Sequence, residues 1–199
     1  MNCNTEFERT NDQGQKIVDT CNMLQVGITD VTVEQILKDY LAPEEIDDDW
    51  KCSKCNSVQK CLKKDKIFNK PKVLIIALKR FETVGTGNNR MIRKITNEVE
   101  ASSTVERAKK YQLKSFVIHE GQTPFGGHYW AILRMPDGTY KRCNDTNITI
   151  IPSEYEWKNM NGDIEDKQAY LLYYERLDDI SDLIPDLPVT ANQTRTDNI

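Results

Sequence analysis

Residues 116–145 read FVIHEGQTPFGGHYWAILRMPDGTYKRCND, and the reading of the fold turns on this stretch. An alternating apolar run containing Phe116 and Ile118 stops at His119, and a polar, glycine-containing loop follows. His128 opens a second alternating run, Tyr129-Trp130-Ala131-Ile132-Leu133. Alternation sends successive side chains to opposite faces, the pattern of a strand. Pro136-Asp137-Gly138 is a tight-turn sequence, and a short return strand leads to Asn144-Asp145. The hairpin so formed brings His128, Asn144 and Asp145 together at one end of paired strands. An imidazole beside an amide or carboxylate that orients it is two-thirds of a nucleophile-base-orienter triad. The other reading of His128 is an ordinary strand histidine. Gly126-Gly127 before it allow a backbone and a bulky substrate to come close, which lowers that reading. His119, at a strand end, reads as structural or loop-supporting.

The totals bound the rest. With 199 residues, 38% of them hydrophobic and 29% charged, the chain is one ordinary domain, or one domain plus a tail. A formal charge of -4 argues against a general nucleic-acid binder. No apolar run is long enough to span a membrane, and the N-terminus has no signal-peptide core, so the expected compartment is cytosol or nucleus. In that compartment six cysteines are thiols and metal ligands rather than a disulfide framework.

In chain order, Ile17, Leu24, Val26 and Ile28 suggest extended structure over residues 16–28. Residues 32–41 predict a helix, with Val33, Ile36, Leu37 and Leu41 on one face and Thr32 with Gln35 as a capping box. The acidic residues 44–49 predict a solvated connection. Trp50-Lys51-Cys52-Ser53-Lys54-Cys55 then holds a Cys-x-x-Cys knuckle, which is half of a tetrahedral zinc site, a redox pair or two idle thiols. Cys61 reads as a small buried side chain. Residues 71–81 (PKVLIIALKRF) predict a strand buried on both faces. Gly85-Thr86-Gly87 is too little of a phosphate loop and predicts a mobile loop over residues 82–90. Residues 91–110 read as a polar excursion. Ile148, Ile150 and Ile151 predict a short strand, Ser153 caps a helical turn, and residues 168–176 (QAYLLYYER) predict a final buried strand. Residues 177–199 are acidic and polar and predict a disordered tail.

Four segments in this order resemble the ubiquitin-specific proteases, the papain-like deubiquitinating enzymes. They are the knuckle from Trp50 to Cys55, the strand from Lys72 to Phe81, the box His119-Glu120-Gly121 with Gly126-Gly127-His128-Tyr129, and Ala169-Tyr170-Leu171-Leu172-Tyr173-Tyr174. The resemblance implies an α+β fold with an antiparallel palm sheet and zinc-ribbon fingers. It implies fingers at about residues 1–70, a palm at about 71–176 and the tail beyond 177. It also implies roles. His128 is the general base, Asn144 orients it with Asp145 as support, and Gly127 and Tyr129 shape the cleft for ubiquitin's C-terminal tail. Cys52 and Cys55, with Cys3, belong to a structural zinc site. The reaction implied is attack on the carbonyl of ubiquitin's last glycine, through an acyl-enzyme that water resolves.

The chain departs from the family at the nucleophile. Asp19-Thr20-Cys21-Asn22-Met23 imitates the family's cysteine box, but it lies too near the His box and lacks the family's lead-in sequence. Residues 16–28 therefore read as the finger strand before the helix, and Cys21 as a minor candidate for the nucleophile. The expectation is a partial domain, with fingers and palm present and the cysteine-bearing thumb missing. Two other classes compete: a catalytically inactive ubiquitin-binding or scaffold protein, and a zinc-ribbon nucleic-acid module built on the knuckle and Lys60, Lys63, Lys64 and Lys66.

Overall fold

The computed structural model describes residue 13 and residues 21–52, 54–67, 69–106, 109–152 and 168–177. Cys3, the Ser153 cap and the tail beyond residue 177 lie outside the described residues. The strands and helix in chain order are β1 (Leu24–Val26), α1 (Val33–Tyr40), β2 (Glu44–Lys51), β3 (Val58–Lys63), β4 (Val73–Leu78), β5 (Phe81–Val84), β6 (Met91–Lys94), β7 (Thr104–Glu106), β8 (Lys110–Thr123), β9 (Gly126–Arg134), β10 (Tyr140–Asn144), β11 (Asn147–Ile151) and β12 (Ala169–Arg176).

Eight strands make one sheet in the order β1-β4-β12-β8-β9-β10-β11, with β7 also paired to β8. Every pair is antiparallel except β1 with β4. The expected α+β class with an antiparallel palm sheet is what forms. One face is the core, where Leu74, Ile76 and Leu78 of β4, Leu172 and Tyr174 of β12, Phe116 and Ile118 of β8, and Trp130 and Ile132 of β9 are buried. Helix α1 covers that face with Val33, Ile36 and Leu37, its apolar stripe. On the opposite face of β4, Val73 and Ile75 are half-buried, so burial on both faces is partial. The helix begins where Thr32 accepts from the Gln35 amide at 3.3 Å. Only half of the predicted capping box forms, because the Gln35 side chain donates to Asp39 at 2.7 Å and Asp30 accepts from the Thr32 amide.

Several expectations are corrected. Residues 44–49 are not a free connection but most of β2, paired to β3. Lys63 bridges Glu44 at 3.0 Å and Lys60 bridges Glu45, so the acidic strand is neutralised by a basic one. Residues 82–90 hold most of β5 and a single 3-10 turn at Gly87–Asn89, which leads into β6, the partner of β5 in a two-stranded ribbon. Gly85 there has φ +88°, and a Cβ on it would lie 2.3 Å from the Asn89 carbonyl oxygen. Residues 91–110 contribute β6, β7 and the buried Val99, Ala101 and Val105. Within residues 16–28 the described strand, β1, lies at the edge of the main sheet beside β4 rather than in the fingers. Val26 and the buried face of α1 belong to the same core as β4. No helix among the described residues is long and apolar enough to cross a membrane.

Arg80, just after β4, ties three segments together. It is 1% exposed. Its Nε donates to the Ala169 carbonyl at 2.6 Å, and its Nη1 donates to the carbonyls of Ile95 at 3.2 Å and Asn97 at 2.8 Å. Burial pulls its pKa down to about 10, which still leaves it charged at neutral pH. Arg80→Met would leave those carbonyls without their donor. Unfolding free energy measured in urea is expected to fall by about 3 kcal/mol with little change in slope. A loss below about 0.5 kcal/mol would show that water replaces the guanidinium at no cost.

Candidate active site

The pairing of β8, β9 and β10 decides what meets what. Residues 140–143 of β10 pair with residues 134–131 of β9, ending on Cys143 opposite Ala131. One step further places Asn144 opposite Trp130, on the face that also carries His128. The two are diagonal neighbours, close enough for side chains to touch. His128 Nε2 and Asn144 Oδ1 lie 2.5 Å apart, both residues half-buried. An amide oxygen only accepts, so Nε2 carries the proton and Nδ1 carries the lone pair. In the neutral ring the atom left to accept a proton is Nδ1.

A floor below it was not foreseen as a unit. The Trp130 indole donates from Nε1 to Glu120 at 2.7 Å, and the Arg142 guanidinium lies 4.4 Å above the Trp130 ring. Trp130 is buried and fixes the row on which His128 stands. The signal available in the sequence was parity: Trp130 and His128 alternate along β9 as Arg142 and Asn144 do along β10.

Asp145 does not join the dyad. It sits with φ +51° in the two-residue turn between β10 and β11, exposed. That left-handed position is tolerated by aspartate and turns the chain. The expected polar loop before His128 is shorter than predicted, since β8 reaches Thr123 and pairs it with Gly126. A Cβ on Gly127 would lie 2.4 Å from His119 Nε2 and 2.5 Å from the Glu120 carbonyl, so the group that comes close to this glycine is His119. Tyr129 is 50% exposed, with its ring 4.6 Å from that of His119.

None of the described cysteines hydrogen-bonds to His128. Cys21 is exposed and precedes β1. Between β1 and β9 lie four strand spacings, a lateral distance of about 19 Å. The two strands also run antiparallel, so Cys21 and His128 are at opposite ends of the sheet. Cys143 adjoins Asn144 but alternates to the other face. Cys61 is half-buried on β3. Cys52 is buried and Cys55 exposed, in a turn closed by the Asn56 amide on the Cys52 carbonyl at 2.8 Å. Cys55 Sγ lies 2.9 Å from Ser57 Oγ. Among the described residues no group of three or more potential metal ligands gathers there. Asn144→Ala should free the His128 ring to exchange tautomers, seen as averaging of its two ring nitrogens by NMR, with a stability loss of about 1 kcal/mol or less. An unchanged Nε2-protonated ring would show that something other than Asn144 orients it.

Residues 27–174 match the family described as ubiquitin carboxyl-terminal hydrolase. The chain is 32% identical over 178 residues to ubiquitin carboxyl-terminal hydrolase 10 of Saccharomyces cerevisiae, an alignment covering 84% of this chain and 21% of that protein. It is 30% identical over 159 residues to human ubiquitin carboxyl-terminal hydrolase 2, covering 75% of this chain and 25% of the other. Among solved structures it resembles a chain of the SAGA Ubp8/Sgf11/Sus1/Sgf73 DUB module bound to monoubiquitin, with TM-score 0.61 and 28% identity over 78% of this chain and 35% of that one. The same module bound to ubiquitin aldehyde gives TM-score 0.59 and 27% identity over 78% of this chain and 36% of that one. The chain therefore spans about a fifth to a third of the length of these relatives. With a family match across most of its length and a dyad in the matching segment, the chain belongs to the ubiquitin carboxyl-terminal hydrolase family.

Proposed function

We propose that this chain supplies the general-base arm of a cysteine-type deubiquitinase acting on the (iso)peptide bond at ubiquitin's C-terminal glycine. The observation that carries the reading is the His128 Nε2 bond to Asn144, which leaves Nδ1 as an oriented base. In this reading Nδ1 takes the proton of a thiol, and the thiolate attacks the glycine carbonyl. The imidazolium then protonates the leaving amine, and water, deprotonated by the same Nδ1, resolves the acyl-enzyme. Gly127 and Tyr129 border the approach to His128, and Asp145 supports the turn that presents Asn144. The thiol comes from polypeptide other than the described residues, because Cys21 and Cys143 stand on the wrong end or face of the sheet. Cys52 and Cys55 would give two of the four thiolates of a structural zinc site at the tip of the β2-β3 ribbon, with Cys3 as a further ligand. The protein would work on ubiquitin or ubiquitinated proteins in the cytosol or nucleus.

A second reading, an inactive ubiquitin-binding or scaffold protein, is favoured by one observation: no described thiol reaches His128. Both readings require that the chain hold ubiquitin by its tail. Titration of isotope-labelled ubiquitin with the chain is expected to shift the signals of ubiquitin's C-terminal residues. Ubiquitin lacking its last glycine should bind about tenfold more weakly, a difference of about 1.4 kcal/mol. Equal affinity for the two forms, or no shifts, would overturn the proposal.

A further inference from the structure

The two histidines of the chain are nine residues apart in sequence and lie on facing strands of one hairpin, with the His119 ring against the backbone of Gly127. His119 is 2% exposed, and both its ring nitrogens are buried without a hydrogen-bond partner among the described residues. The mechanism above does not use it. We propose that His119 is a positioning residue, whose neutral ring, closed in by the backbone of Gly127 and the rings of Phe81, Tyr129 and Tyr170, sets where His128 stands relative to Asn144. The inference rests on reading His128 as the base.

Gly127 directly precedes His128, and the ladder does not hold it. Glu120 pairs with His128 and Thr123 with Gly126, so residues 121 and 122 stand opposite Gly127 alone. A bulge of this kind interrupts the regular hydrogen bonds and lets the strand bend. What fixes Gly127 is what it touches. The place of its missing Cβ is 2.4 Å from His119 Nε2, and that of Gly121 is 2.8 Å from His119 Cε1. The ring is thus seated between two side-chain-free stretches of backbone. Its other walls are Phe81 at 5.5 Å, Tyr129 at 4.6 Å and Tyr170 at 6.0 Å between ring centres.

Those walls are anchored to the Arg80 clamp. The guanidinium holds the Ala169 carbonyl, next to Tyr170, and the Ile95 carbonyl, next to Lys94. Lys94 Nζ in turn donates to the backbone carbonyl of His119 at 2.8 Å. The charge that acts on the ring is that of Lys94, which is itself acted on by Arg80 and Glu120, and Glu120 is engaged by the Trp130 indole. The titratable hydroxyls beside it are those of Tyr129 and Tyr170. Burial, and then the Lys94 charge, lower the His119 pKa below its ordinary value of 6.5. A base with a lowered folded-state pKa is proton-free in the fold while the unfolded chain already binds its proton. The stability it contributes is full above the ordinary value and declines as pH falls from there toward the folded value. Charging the ring places two N–H donors where no acceptor waits among the described residues, beside the Lys94 cation, and opens the box.

Two imidazoles make the test simple, because ring-nitrogen NMR resolves both. When His128 itself takes a proton on Nδ1, its Nε2–H still donates to Asn144, so that signal should survive. It should disappear as pH falls far enough for His119 to take a proton. His119→Ala should lose the hydrogen-bonded Nε2–H signal at every pH while the far-ultraviolet circular dichroism of the sheet is kept. If that variant does not fold, the wild-type titration decides alone. Persistence of the His128 signal through the His119 titration, or in a folded His119→Ala protein, would overturn the proposal. Neither readout involves ubiquitin, so failure here is distinguishable from failure of the deubiquitinase reading.

Discussion

A slip of one residue between β9 and β10 would carry Asn144 to the opposite face of the sheet from His128. The site depends on that register, because strand side chains alternate with a period of two. The register is held on both sides of the site. The Met135–Thr139 turn closes the hairpin at one end, with Asp137 accepting from the Thr139 amide and hydroxyl. Ile132, Trp130 and Tyr140 are buried on one face, so a slip would expose them. The hydrophobic core and the geometry of the dyad are therefore one constraint.

That constraint explains how much of the site the sequence disclosed. The alternation from Tyr129 to Leu133 and the Pro-Asp-Gly turn were enough to bring His128 and Asn144 together. Asp145 shared the same neighbourhood in the chain, yet its left-handed turn position takes it out of the row. Long apolar patterns gave β4, β9 and β12, and the stripe Val33-Ile36-Leu37 gave α1. The failures have a common cause. Residues 44–49 look like a solvated linker when read alone, and their strand is matched by β3, where Lys63 lies across from Glu44 and Lys60 reaches Glu45 diagonally. The β5-β6 ribbon likewise joins Glu82 to Arg93 at 2.8 Å. Charge complementarity between distant segments is invisible to local periodicity. The same holds for β1, whose place beside β4 follows from a parallel pairing across some fifty residues of chain.

Arg80 belongs to a further class that no local pattern marks, and so do the contacts of His119, which the sequence marked only as structural or loop-supporting. Each looks like a polar residue at a strand end, and each is almost fully buried. Their role is visible only from the other side of the contact, in the carbonyls that Arg80 gathers and in the glycines that leave room for the His119 ring. The result is a layered arrangement. A buried guanidinium anchors an aromatic box, the box seats a glycine, and the glycine carries the base. Its orienter is the next strand's Asn144.

Whether His128 is an oriented base that draws its thiol from elsewhere is open to a chemical test. The most direct measurement treats the chain with ubiquitin carrying a thiol-reactive group at its C-terminus, followed by mass mapping of any adduct. The account predicts no His128-dependent adduct on Cys21, which lies across four strands and at the other end of the sheet. Rapid labelling of Cys21 that is abolished by His128→Ala would contradict it.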